Sequence, residues 1–249
     1  MNAERTRLDE LLVARGHFAS RSRARDAILR GTVCVAGAVV TKPGLGVSSD
    51  AEITVDDPAQ DYVSRAALKL VHALDAFGID PDGTTALDIG ASTGGFTQVL
   101  LDRGAAHVFA IDVGHDQLDA ALAGDPRVTS IERLNARDLA AEHLNGIAPD
   151  FLVSDVSFIS LKLALPPALA LAAPGARGVF LVKPQFEAGR DAIRKGGLLR
   201  DPAQAEIVAE DLRNWLDAMP GWRVTGLVPS PIEGGDGNRE FLLAGVKDR

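Results

Sequence analysis

The chain has 249 residues, 46% hydrophobic and 24% charged, with 34 acidic against 26 basic side chains and a net charge of −8. That composition excludes a disordered chain and fits one or two globular domains. One cysteine, Cys34, excludes an internal disulfide and a cysteine-built metal site, so a reducing compartment and no metal are expected.

The opening residues carry no apolar run, which argues against a secretory signal and for the cytoplasm. The uncharged stretch 163–176 is 14 residues long and is broken by Pro166, Pro167 and Pro174. A spanning helix needs about 20 apolar residues, so no membrane segment is expected. On total charge a nucleic-acid partner looks unfavourable, but the charge is uneven. Residues 1–42 hold eight basic and four acidic groups, net +4, and the remaining 207 residues carry 18 against 30, net −12. Segmental asymmetry is the better guide to partners.

In chain order, Leu8, Leu11 and Leu12 predict a short amphipathic helix ending at Gly16. Ser20 reads as the N-cap of a second helix that stops at Gly31. A hairpin around Gly37 follows, flanked by Val33, Val35 and Val39, then a strand at Ile53–Val55, with Cys34 as core. The polar DDPAQD stretch marks a linker at about 56–63. Two domains are therefore expected, 1–59, a small α+β module, and 60–249.

Beyond the linker Ser64 is placed to cap a helix through Phe77, with Ala67, Leu70, Val71 and Leu74 inward and Arg65, Lys69 and His72 on another face. The apolar strands ALDIG, VFAID, VTSIE, FLVSD and VFLVK then alternate with helical segments. Asp201, Pro202 and Gln204 open a further helix, and strands near 224–228 and 240–246 form an antiparallel edge hairpin. The expected fold is α/β, a Rossmann-like, doubly wound, mostly parallel seven-stranded sheet.

The turn Gly90-Ala91-Ser92-Thr93-Gly94 follows the first of these strands. A dinucleotide fingerprint would need glycine where Ser92 stands, because the backbone must approach a pyrophosphate. Asp112, 24 residues after Asp88, is placed to accept hydrogen bonds from ribose hydroxyls. A nucleoside-bearing cofactor without a pyrophosphate fits, and S-adenosylmethionine is the first candidate. Lys183 ends an apolar strand and needs partners if buried. Asp155 ends another strand, and Glu240 opens the last.

These segments together resemble the TlyA family of ribosomal-RNA 2′-O-methyltransferases, whose catalytic domain is similar to the FtsJ-type fold. The matching segments are RLDELLVARG, SRSRARDAI, YVSRAALKL, LDIGASTGGFTQVLL, DVSFISL, VKPQFEAG and SPIEGGDGNREF, spread over essentially the whole chain. The chain departs at Ala66-Ala67, where family members often carry a glycine pair. The resemblance implies a catalytic tetrad of Lys69, Asp155, Lys183 and Glu240, with Lys183 as the base that receives a ribose 2′-hydroxyl proton. It implies a cofactor pocket of Gly90, Ser92, Gly94, Phe96, Asp112 and Asn135, with Asp138 as an alternative to Asn135. It also implies an αL-type RNA-binding module at the N-terminus, where Arg7, Arg21, Arg23 and Lys42, with Arg65 beyond the linker, face RNA phosphates.

The implied reaction is methylation of cytidine ribose in 23S and 16S ribosomal RNA, with ribosomal RNA or subunits as partner. Two other classes remain open, a non-catalytic ribosome-assembly factor and a membrane-active haemolysin. The segment RKGGLLRDP reads either as a lid over RNA or as an ordinary loop.

Overall fold

The computed structural model describes residues 5–235 and 237–248. Glu4, counted in the N-terminal charge, and Asp236, inside the SPIEGGDGNREF segment, lie outside the described residues. The chain divides between Asp61 and Tyr62 into two compact units.

The first unit runs β1 (Arg5–Arg7), α1 (Leu8–Ala14), α2 (Arg21–Leu29), β2 (Val33–Val35), β3 (Ala38–Val39), β4 (Gly46–Ser48) and β5 (Ile53–Val55). Ser20 caps α2 as its type and position predict, its hydroxyl accepting from Arg23 N at 3.3 Å. Leu8 and Leu12 of α1 pack with Phe18, Ala24 and Ile28 and with Val33 of β2 to form a small core. β2 pairs antiparallel with both β3 and β5, and β1 pairs antiparallel with β4. The β2–β3 turn has positive φ at both central residues, Ala36 (49°) and Gly37 (76°), the backbone that matches strand twist in a two-residue hairpin. Cys34 is half-buried rather than core, because alternation along β2 gives the buried face to Val33. The sequence reading missed β1 and β4, which are three residues each and carry no apolar run.

The second unit runs α3 (Ala67–Phe77), β6 (Thr85–Ile89), α4 (Gly95–Asp102), β7 (His107–Ile111), α5 (Ala120–Ala123), β8 (Val128–Ile131), β9 (Phe151–Ser154), α6 (Leu161–Ala164), α7 (Pro166–Leu171), β10 (Arg177–Val182), α8 (Pro184–Glu187), α9 (Gln204–Asp217), β11 (Trp222–Pro229) and β12 (Phe241–Lys247). The seven strands lie in the order β11-β12-β10-β9-β6-β7-β8. Every pairing from β10 across to β8 is parallel, and β12 alone runs against its neighbours, so the edge hairpin and the mostly parallel sheet are both present. The chain turns from β8 at one edge back across the middle to β9, which puts the topological switch point between β6 and β9.

Strand alternation builds two core layers. Leu87 and Ile89 of β6 join Phe109, Leu152 and Phe180 under α7 and α9, while Ala86 joins Val108, Phe151 and Val179 under Leu70, Leu74, Val99 and Leu100 of α3 and α4. Asp88 falls on the second face, wholly buried beneath α4. Two predicted caps shift. α3 starts three residues after Ser64, whose hydroxyl accepts from Ala66 N (3.2 Å), and the intervening turn is tight, with Ala67 N bonded to Ser64 O. Asp201 likewise accepts from Ala203 N (3.0 Å) in a turn, and α9 begins only at Gln204, so Pro202 and Gln204 do not form the predicted cap.

Candidate active site

The carboxyl ends of the parallel strands are laced together at the switch point. Gly90 N donates to Ile111 O (2.9 Å), Asp155 N to Ile89 O (3.2 Å) and Asp112 N to Ile131 O (3.1 Å). Asp112 and Asp155, which follow β7 and β9, are thereby held at one edge, where α/β sheets bind ligands.

The glycine-rich turn opens α4. Gly90 has φ of 82°, and a Cβ there would meet Val156 Cγ1 at 2.9 Å and Cα at 3.1 Å, so any side chain would push the loop after β9 that carries Asp155. Gly94 has a different reason. A Cβ would stand 2.4 Å from Leu122 and 2.7 Å from Leu118, so the residue permits packing on the α5 side and does not line the cleft. Ser92 occupies a left-handed φ of 48° and offers its backbone N–H to Asp112 Oδ2 at 2.9 Å. The other oxygen of Asp112 accepts from Gly114 N at 2.7 Å, which fixes the carboxylate at the rim of a cleft.

That cleft is about 870 Å³, large enough for a nucleoside, and is lined by Gly90, Ser92, Asp112 and Asn135 among others. Asn135 accepts from Arg137 N (3.1 Å) and Nε (3.2 Å), capping a short turn over 136–138; Asp138 is exposed and does not line the cleft.

A smaller cavity of about 140 Å³ adjoins it, sharing Gly90, Ser92, Asp155 and Ser157 and adding Lys183, Phe96 and Asp88. Phe96 is 2% exposed and belongs to the core as much as to this cavity. Asp88 Oδ2 accepts from Thr97 Oγ1 at 2.7 Å, but Oδ1 has no partner. Burial pushes the Asp88 carboxyl up to about 7, with Asp155 and Asp112 adding to the shift and the Thr97 hydrogen bond opposing it.

Both lysines are buried in pairs. Lys183 Nζ lies 2.6 Å from Asp155 Oδ1, 2.8 Å from Ser157 Oγ and 3.4 Å from Asp155 O; the Oδ1 contact is an ion pair outside hydrogen-bond angles. Lys69 Nζ lies 2.5 Å from Glu240 Oε2. Helix periodicity grouped Lys69 with Arg65 and His72 away from the packed face; instead it is 5% exposed, turned onto Glu240. Gly234 makes room for that carboxylate, since a Cβ there would stand 2.6 Å from Glu240 Oε1. The two pairs are adjacent by register. Val182 pairs with Phe241 in the β10–β12 ladder, and Lys183 and Glu240 are the next residues beyond it.

Sequence reasoning missed two residues of the loop after β9. Ser157 bonds Lys183, and Phe158 lines the cleft 90% exposed, at a φ of 65°, with its ring 5.0 Å from that of Phe186. Both sit in the DVSFISL segment, between the strand-ending Asp155 and the cap residue Ser160.

The N-terminal cations divide into two kinds. Arg7 and Arg21 are half-exposed, and both reach the fully buried Asp9, at 3.0 and 3.2 Å. The hydrogen bond from Arg7, ahead of the one from Arg21, holds the Asp9 carboxyl below the usual range. Arg23 donates to Ala59 O and Gln60 O, whereas Lys42 is exposed and its side chain has no partner among the described residues. In the second unit Arg65 is half-buried beside Gly235.

The segment over 190–200 is anchored. Ile193 and Leu199 bridge, and the buried Asn238 accepts from Leu199 N and donates to Gly197 O at 2.9 Å. No helix among the described residues is long and apolar enough to cross a membrane, and none of their His, Cys, Asp and Glu side chains cluster as a metal site.

Comparison with known proteins matches residues 62–247 to the FtsJ-like methyltransferase family and residues 6–53 to the S4 domain. The chain is 46% identical to the 16S/23S rRNA (cytidine-2′-O)-methyltransferase TlyA of Mycobacterium tuberculosis, over 97% of this chain and 90% of that one. It is 43% identical to Hemolysin A of Brachyspira hyodysenteriae, over 95% and 98% of the two chains. A solved structure from Streptococcus thermophilus, provisionally named a hemolysin, superposes with a TM-score of 0.75 at 40% identity, covering 99% of this chain and 90% of its own.

Proposed function

The chain belongs to the TlyA family, an S4 domain followed by an FtsJ-like methyltransferase domain, and from that premise we propose that it transfers a methyl group from S-adenosylmethionine to the 2′-hydroxyl of a cytidine ribose in ribosomal RNA. The observation that carries this reading is the pair of buried lysine–carboxylate contacts set side by side by strand register, with Asp155 lining the nucleoside-sized cleft and Lys183 the inner cavity that adjoins it.

The residues present fit the cofactor. Asp112 presents a fixed carboxylate where a ribose diol would lie, and Gly90 keeps the turn free of a side chain. The orphaned Asp88 Oδ1 suits a ligand ammonium at the inner cavity. Among the expected pocket residues, Asn135 serves the base end of the cleft, Ser92 the ribose end and Phe96 the inner wall, while Gly94 acts through packing. S-adenosylmethionine supplies a methyl group made electrophilic by a cationic sulfur.

The remaining chemistry falls to this chain's own side chains. A ribose hydroxyl is a weak nucleophile near neutral pH, so its proton must have a positioned acceptor. Neutral Lys183 takes that proton. With both lysines charged the four-residue group sums to zero, and with Lys183 neutral it sums to −1, the sign that favours a cationic donor nearby. Lys69 keeps Glu240 neutralised, and Asp155 holds the Lys183 ammonium group in place. Phe158 offers an exposed ring on which a nucleobase stacks at the cleft. The S4 unit holds the RNA through Arg7, Arg21, Arg23 and Lys42, with Arg65 assisting in the second unit.

The test is transfer of labelled methyl from S-adenosylmethionine to purified ribosomal RNA and to each ribosomal subunit, followed by mapping of 2′-O-methylated positions. The expected product is a 2′-O-methylcytidine that depends on the protein. Label absent from every RNA and subunit, or found only on a base, overturns the proposal.

A further inference from the structure

The environment of Lys183 raises a question that burial and charge alone leave unanswered, namely what aims its nitrogen. An ammonium has three N–H groups and no lone pair; a neutral amine has two N–H groups and one lone pair, and only the latter accepts a proton. Lys183 Nζ has three protein contacts of unequal length. Ser157 Oγ at 2.8 Å and Asp155 O at 3.4 Å accept hydrogen bonds from it, whereas Asp155 Oδ1 at 2.6 Å is an ion-pair contact outside hydrogen-bond angles. When the lysine is neutral, the two hydrogen-bonded contacts, Ser157 Oγ and Asp155 O, hold its two N–H groups. The third direction, which no hydrogen bond of the protein occupies, is then left for the lone pair.

Asp155 cannot set that direction alone. One contact fixes a point but leaves the amine free to turn about its Cε–Nζ bond, so a second acceptor is needed to fix the rotation. Ser157 supplies it from the same loop, two residues on, and it lines both the nucleoside-sized cleft and the inner cavity. We propose that Ser157 is a positioning residue whose hydroxyl, with Asp155, orients the lone pair of Lys183 toward the acceptor hydroxyl. The inference rests on the reading of Lys183 as proton acceptor. During the reaction the O–H bond of the ribose breaks and a new N–H bond forms at Lys183, while Ser157 keeps its own proton throughout.

The test uses the full-length protein and the labelled-methyl assay, with Ser157→Ala, Ser157→Thr, Lys183→Ala and the Ser157→Ala/Lys183→Ala double variant. Ser157→Ala is expected to lower kcat roughly 10- to 100-fold, below the effect of losing the base itself, with KM for RNA and for cofactor within about twofold. Ser157→Thr keeps the hydroxyl and is expected to restore most of the rate. In the double variant the serine change is expected to add nothing, because it acts through Lys183.

A raised KM with unchanged kcat overturns the inference and makes Ser157 a substrate contact. Additive losses in the double variant, or a Thr variant as slow as Ala, overturn it as well. If Lys183→Ala retains full rate, the reading of the base fails; if Lys183→Ala is slow and Ser157→Ala is not, only the positioning role fails.

Discussion

The chain buries carboxylates against cations at Asp9 in the first unit and at the lysine pairs in the second, and these sites do it in opposite ways. In the first, Asp9 is completely buried while its partners Arg7 and Arg21 remain 47% and 52% exposed. In the second, carboxylate and lysine are both withdrawn, with side-chain exposures of 7% and 2% for Lys69 and Glu240 and 11% and 17% for Lys183 and Asp155. A guanidinium has five N–H donors, so an arginine held from behind by one carboxylate still presents donors outward to a phosphate. A buried ammonium presents nothing to solvent and is open only to a ligand that enters its cavity. The first arrangement suits capture of a polyanion, the second suits proton transfer to one atom. The first unit carries eight basic against nine acidic groups, and its basic excess is confined to residues 1–42, which is where a polyanion is expected to lie.

The contrast is most severely tested at Lys183. Lys183→Ala is expected to slow methyl transfer by roughly 10²- to 10⁴-fold, the usual worth of a positioned general base, with RNA and cofactor binding retained. Full methylation by that variant, in a preparation that binds both ligands, would place the chemistry elsewhere. Asp9→Ala comes next. It leaves two half-exposed arginines that water still solvates, and is expected to destabilise the first unit by about 1 kcal/mol, read as a lowered unfolding midpoint for that unit. Because the Asp9 carboxyl is held below the usual range, its contribution is present above the ordinary carboxylate pKa and is lost as pH falls through the lower folded value. A variant as stable as the parent would show that Asp9 does not support its arginines.

How much of this was legible in the sequence depended on the range of the interaction. The turn at Gly90, the acid at Asp112 and the charges ending β9 and β10 follow from strand alternation and the chain order of an α/β sheet, and all of them lie at one edge. The requirement that a lysine ending an apolar strand find partners is elementary electrostatics, and Asp155 and Ser157 meet it for Lys183. Lys69 was legible only through the family resemblance, which set it in one tetrad with Glu240. Local periodicity grouped it with Arg65 and His72, and its partner stands 171 residues away at the start of β12, so only the antiparallel insertion of β12 beside β10 explains its burial. Gly94, which the resemblance puts in the cofactor pocket, lies against Leu118 and Leu122 and lines neither cavity, a packing fact invisible to spacing. The caps at Ser64 and Asp201 were displaced because tight turns precede both helices.

A milder effect is expected at Asp88, which belongs to neither kind, being a buried acid with one oxygen unpartnered. Its carboxyl is pushed up to about 7, so between the ordinary carboxylate pKa and about 7 the folded state holds a proton that the unfolded state releases. Stability from this group therefore declines as pH rises across that interval and is level above it. Cofactor affinity runs the other way if the ionised acid receives the ligand ammonium, falling by up to about tenfold per pH unit below the folded pKa. Calorimetry from pH 6 to 8 on the parent and on Asp88→Asn checks both signs; parallel profiles would remove Asp88 from the cofactor site.

The smallest effects separate the two kinds of exposed cation within the first unit. Arg21 serves both Asp9 and Glu10, whereas Lys42 touches neither and has no other side-chain partner among the described residues. If both face RNA phosphates, Arg21→Ala and Lys42→Ala should each weaken binding and reduce the slope of log affinity against log salt by about one. Only Arg21→Ala should also lower the unfolding midpoint of the first unit, because Asp9 loses one of its two guanidinium partners. Salt titrations of RNA binding paired with thermal unfolding read the two consequences separately. An unchanged salt slope in Arg21→Ala, with the lowered midpoint, would leave that arginine a structural counter-ion alone, and the exposed lysine would then be the better guide to where RNA lies.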